Sequence, residues 1–128
     1  MAKPRLLNNI IALRMPYNEV LVNRISEALV GIKNVVTKKM FRGIAFMVND
    51  KMCITVSEHD IMCRIDPAIH EELVEKTGCR SMVMKGKELK GWVLVNEEAI
   101  KSKKDLDYWI SLALSFNKYA KSSKKAKR

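Results

Sequence analysis

The sequence predicts an α+β fold: two layers, with an antiparallel sheet of about six strands and helices packed on it. Three observations carry this expectation. Residues Met40 to Val56 form two runs rich in β-branched and aromatic residues on either side of Asn49-Asp50, a pair that tolerates the positive φ of a two-residue hairpin turn. Further strand-like runs alternate with three stretches of helical period rather than gathering at one end of the chain. The chain has 128 residues, 48% of them hydrophobic, which is enough for one domain to bury a core without metals or disulfides.

In chain order, the first helix opens at Met15-Pro16-Tyr17-Asn18-Glu19. Pro16 or Asn18 takes the entry position, and Glu19 meets the positive end of the helix dipole. Leu21, Ile25, Ala28, Leu29 and Ile32 recur at spacings of three and four, with Gly31 placed as the stop, so the helix should run about four turns. An extended run, Val35 to Phe41, then leads into the hairpin.

The hairpin register has two solutions. A two-residue turn opposes Phe46 to Cys53 and leaves apolar residues on both sheet faces. A three-residue turn including Lys51 aligns Phe46 with Ile54 and gives one clean core face. Turn chemistry favours the first, which predicts a second apolar face that is itself covered, for instance by another subunit in a homodimer.

Ser57 to Asp60 turns into a fourth strand in which Ile61, Cys63 and Ile65 alternate with Met62 and Arg64. Asp66-Pro67 starts a second helix, with Ile69, Leu73 and Val74 as its buried stripe and Gly78 as its end. Two strands follow, Cys79 to Met84 and Gly91 to Val95, joined by a connection from Lys85 to Lys90. Ser102-Lys103-Lys104-Asp105 has capping-box spacing and begins a last helix through Leu106, Trp109, Ile110, Ala113 and Phe116. The predicted order is α-β-β-β-β-α-β-β-α, with residues 1–14 as an N-terminal extension, 15–118 as the domain and 119–128 as a basic, disordered tail.

The formal charge of +10 suggests nucleic acid until it is mapped. All 14 acids lie between Glu19 and Asp107, while Lys3, Arg5 and Arg14 precede them and six bases follow from Lys118 to Arg128. The remaining 15 bases leave a body of net charge +1. Such a distribution supports weak, salt-sensitive attraction to polyanions through the tail rather than a dedicated groove. No apolar run approaches the roughly 18 to 20 residues of a membrane span, and no secretory leader is visible, so no membrane partner is expected and the cytoplasm is the expected compartment.

No catalytic constellation, metal site or cofactor loop emerges. His59 and His70 lack ligand spacing and read as solvated groups. Gly31, Gly43, Gly78, Gly86 and Gly91 are too dispersed to cradle phosphate. Cys53, Cys63 and Cys79 read as small buried hydrophobes of a reducing compartment.

The candidate partner or nucleic-acid contacts are Lys38, Lys39 and Arg42 leading into the hairpin, Arg64, and Lys85, Lys87 and Lys90 near Trp92. Each has a plainer alternative: edge-strand protection for Lys38 and Lys39, and a solvated loop with Trp92 in the core for the last group. Arg64 should lie on the face away from Ile61 and Ile65, paired with a carboxylate or presented to a partner.

The segment Met40-Phe41-Arg42-Gly43-Ile44-Ala45-Phe46-Met47-Val48-Asn49-Asp50-Lys51-Met52-Cys53 resembles the amino-terminal domain of the TfoX/Sxy family, bacterial regulators of natural competence. The likeness continues through Ile61 to Ile65, Lys87 to Val93 and Asp107 to Ile110, covering about residues 15 to 118. Arg42 stands where the family usually has the first glycine of a pair, and Asp50 where it has glycine. The resemblance implies an α+β domain with an antiparallel sheet, tied to transcription and DNA-uptake control. The full regulators carry a second helical domain, where this chain has a basic tail. The expectation is a non-enzymatic regulatory or adaptor domain acting through protein contacts with the transcription machinery or a regulator. The alternative is a low-specificity nucleic-acid binder using the tail and the strand and loop lysines.

Overall fold

A computed structural model describes residues 17–40 and 43–121. Six strands form one antiparallel sheet: β1 Val35–Met40, β2 Gly43–Val48, β3 Lys51–Val56, β4 Asp60–Arg64, β5 Cys79–Met84 and β6 Lys87–Asn96. Their spatial order is β1-β2-β3-β4-β6-β5, so β1 and β5 are the two edges. The helices are α1 Glu19–Ala28, α2 His70–Leu73 and α3 Lys103–Asn117, with 3-10 turns at Pro67–Ile69 and Glu97–Ile100. This is the α+β architecture and element order that the sequence predicts.

Caps fix where the helices begin. The Asn18 side chain accepts from the Leu21 N–H, Asp66 from Ala68 and Ser102 from Asp105. Helix α1 is shorter than its apolar spacing suggests. Its last turn tightens at Leu29, whose N–H reaches the carbonyls of both Ile25 and Ser26, and Gly31 at φ +93° carries the chain away. Pro16, the other entry candidate, lies outside the described residues.

The hairpin contains both registers. Asn49 and Asp50 take φ of 55° and 65°, the two-residue turn that turn chemistry favours. Val48 then faces Lys51 and Met47 faces Met52, but Phe46 faces Ile54. A bulge at Cys53 absorbs one residue between these pairs. Beyond it, Ile44, Phe46, Ile54 and Val56 join one core face, as the rejected three-residue turn would have arranged them.

That face packs on Leu21 and Ile25 of α1, Leu73 of α2, and Leu106, Trp109, Ile110 and Ala113 of α3 in one core cluster. At roughly 25 cal/mol per Å² of apolar area removed from water, fully buried residues such as Phe46 and Ile54 contribute about 1.5–3 kcal/mol each. Asn117, buried at the end of α3, pins the helix to the hairpin turn: its Nδ2 donates to the Val48 carbonyl (3.1 Å) and its Oδ1 accepts from Asn49 Nδ2 (3.0 Å). Lys51 Nζ donates to the Asn117 carbonyl (3.0 Å), placing a cation at the negative end of the helix.

Strand β6 begins earlier than expected. Only Lys85 and Gly86 form the turn, at φ 54° and 80°, and Lys87 to Lys90 are strand. The predicted connecting loop is therefore the distal half of a long hairpin.

Candidate functional site

Side chains alternate across a strand, so residues between the core positions point to the opposite sheet face. On this face the pairs Thr55 with Met62 and Met62 with Leu94 form a row across β3, β4 and β6. Met52, Met62, Trp92 and Leu94 line a groove together with Met40 of β1 and Met82, Met84 and Leu89 of the β5–β6 hairpin. Its volume is about 610 Å³.

In a flat sheet the two edge strands would stand about 24 Å apart, five spacings of about 4.8 Å. One groove lined from both edges requires the sheet to curl. A bulge between Ser81 and Val83, and Gly91 at φ +91°, lie within the hairpin that forms one wall. Gly43 lines the opposite end, where a Cβ would fall 1.9 Å from the Val56 carbonyl oxygen. Only glycine allows β2 and β3 to approach this closely.

The groove is apolar and rich in methionine, an unbranched, polarizable side chain that adapts to irregular partners. Met84 is half exposed at its rim, as are Met40 and Val36 of β1 on the same face. Exposed apolar surface of this extent marks interaction sites more often than it occurs at random.

The candidate cations do not converge on one surface. Lys38 and Lys39 occupy successive positions of edge strand β1 and so project to opposite faces. Lys85 and Lys87 lie at the tip of the hairpin on the other edge, and Lys90 is ion-paired with Glu71. Arg42 lies outside the described residues. Arg64 occupies the face expected of it, but no carboxylate pairs with it: its guanidinium lies 4.8 Å over the Trp92 ring, and Nη1 donates to the Lys121 carbonyl (3.1 Å). Burial lowers its pKa, partly offset by Cys53. Trp92 thus lies in the groove wall rather than in the core.

His70 is fully buried, against the expectation of a solvated group. The Gly91 N–H donates to Nδ1 (2.9 Å), so the ring proton sits on Nε2 and is donated to Ser81 Oγ (2.9 Å). Burial, reinforced by Lys90, holds its pKa below the usual histidine value. A neutral histidine with both nitrogens engaged joins α2 to the β5–β6 hairpin and has no nitrogen left for substrate or metal. His59 is exposed, and its hydrogen bond to Glu97 (3.0 Å) raises its pKa.

The three cysteines are free and buried, as expected. Burial pushes the Cys53 and Cys79 thiols up to about 11 and Cys63 further still, so none is a ready nucleophile. Among the described residues no cluster of three or more histidine, cysteine or carboxylate side chains could hold a metal, and no helix is long and apolar enough to cross a membrane.

The family model of the TfoX N-terminal domain matches residues 27–117. No curated protein and no solved structure gives a significant match.

Proposed function

The chain belongs to the TfoX N-terminal domain family, and from that premise we propose that it is a regulatory or adaptor domain without catalytic activity, working in the cytoplasm through protein contacts in competence or transcription control. The observation that supports this most directly is the methionine-lined groove on the sheet face opposite the helices. Its chemistry suits an apolar protein segment with aliphatic anchors, and its curved, adaptable wall suits more than one sequence. A homodimer through this face is one form such a contact can take.

The experiment compares wild type with Met62→Asp, which places a charge in the centre of the groove without touching the helix-side core. Expression of the controlled genes, proximity labelling of partners in cells and light scattering are read together with thermal unfolding. Loss of control and of partner labelling in a variant that still folds supports the proposal. Unchanged regulation and labelling would remove it.

The basic ends add only a weak, salt-sensitive attraction to nucleic acid, because the body carries 15 bases against 14 acids and the cations on it are scattered. Anisotropy titrations with random duplex DNA should show binding that disappears at physiological salt, and that weakens when Lys124, Lys125 and Lys127 are changed to glutamine. Binding that persists under both conditions would favour a nucleic-acid site on the folded body instead.

A further inference from the structure

We propose that the groove is occupied, in the free protein, by the chain's own residues 5–14, and that a partner must displace them. The argument begins where the described chain starts. The Asn18 N–H donates to the Ser57 carbonyl (3.0 Å), and Ser57 itself lines the groove. Tyr17 packs against the core beside it. The preceding sixteen residues are therefore tethered at the rim, within one residue of a groove-lining position.

The composition of that segment matches what the groove lacks. Leu6, Leu7, Ile10, Ile11 and Leu13 recur at the spacings that gather on one side of a helix, with Arg5, Asn8, Asn9 and Ala12 on the other. A helix over residues 5–14 would be about 15 Å long, a length that fits within the width of the curled sheet. The opposite end of the chain offers no such match: residues 122–128 are Ser-Ser-Lys-Lys-Ala-Lys-Arg, with no large apolar side chain.

Tethering decides between the chain's own segment and a second copy. A short tether gives an effective concentration in the millimolar range, above the concentration at which a second copy normally competes. The segment takes from the function proposed above only the availability of the groove, and its test uses no partner, so either idea can fail alone.

The test uses the full chain with 13C-labelled methyl groups on Met, Ile and Leu. Cross-peaks are expected between the methyls of Ile10, Ile11 or Leu13 and those of Met52, Met62 or Met82, unchanged on dilution. The double variant Leu7→Asp with Ile10→Asp should lose them and bind anilinonaphthalene sulfonate several-fold more brightly, with its unfolding temperature little changed. Adding Met62→Asp to that variant should abolish the gain, because the dye then sits in the groove. Absence of the cross-peaks in wild type overturns the proposal. So does their appearance between separately labelled chains, which would assign the groove to a second copy, and so does a double variant no brighter than wild type.

Discussion

Replacing Gly43 with alanine should be among the most damaging single-methyl changes this protein can suffer. The added Cβ would fall 1.9 Å from the Val56 carbonyl oxygen and 2.9 Å from its carbon. An ordinary carbon–oxygen contact is about 3.3 Å, so the two backbones must separate by about 1.4 Å at the pair Ile44 and Val56. Both atoms met are backbone, so no side chain can turn aside. Overpacking of this kind costs about 1–3 kcal/mol, and a strained ladder bond beside it about 1 kcal/mol more. A loss of about 3 kcal/mol lowers the unfolding temperature of a domain this size by about 10 °C.

Gly86→Ala is the control. It has a positive φ of 80° but nothing within 4 Å of the new Cβ, so it reports backbone strain alone, about 1 kcal/mol. Gly43 is not among the positive-φ glycines and reports overlap alone. Paired thermal and urea unfolding curves separate the two. If Gly43→Ala loses no more than Gly86→Ala, the strands can part without consequence and the close approach is not a requirement of the fold.

Asn117→Ala should cost about 1–3 kcal/mol in urea unfolding, since the Val48 carbonyl and the Asn49 amide lose their shared partner. His70 has a lowered folded pKa, so the unfolded chain binds its proton more readily; its contribution is complete above about pH 6.5 and is lost as pH falls from there through the folded value. His59 has a raised folded pKa and acts in the opposite sense, contributing below about pH 6.5 and losing that contribution as pH rises through the folded value. Urea midpoints against pH in a His59→Gln background should therefore rise between acid and neutral pH, and that slope should vanish when His70→Gln is added. A disulfide reagent such as dithionitrobenzoate should label Cys53 and Cys63 in the native protein only at the rate of unfolding, because both are buried and their thiols remain protonated. Rapid labelling in buffer would contradict their burial.

Much of the fold is legible in local chemistry. Asn18, Asp66 and Ser102 announce helix starts because a cap is a contact between near neighbours. The second apolar face is legible too, since Met47, Met52 and Met62 alternate with core residues in plain sequence. What local reading misses is what distant residues settle. His70 sits beside two glutamates and looks solvated, but Gly91 and Ser81, brought over it by the sheet, satisfy both nitrogens. Lys87 to Lys90 carry turn-like polarity, yet pairing with β5 makes them strand, and that pairing brings Leu89 and Met84 into the groove wall. Trp92 alternates on the groove side because the strand containing it starts before Gly91, a boundary fixed by the hairpin and not by any residue type.

The Cys53 bulge can be restated as a matter of phase. A strand alternates with a period of two, and a hairpin turn sets that phase from one end while the core sets it from the other. Here the two settings differ by half a period, and one residue takes up the difference. Removing Cys53 would leave Met52 opposite Met47 and Ile54 opposite Phe46 in an uninterrupted ladder, with every other side chain on its present face. Removing either neighbour, or adding a residue to the turn, would invert the inside and outside of everything downstream to the next turn. The hairpin can therefore tolerate losing a residue at one position in β3, and that position holds a side chain the ladder does not need.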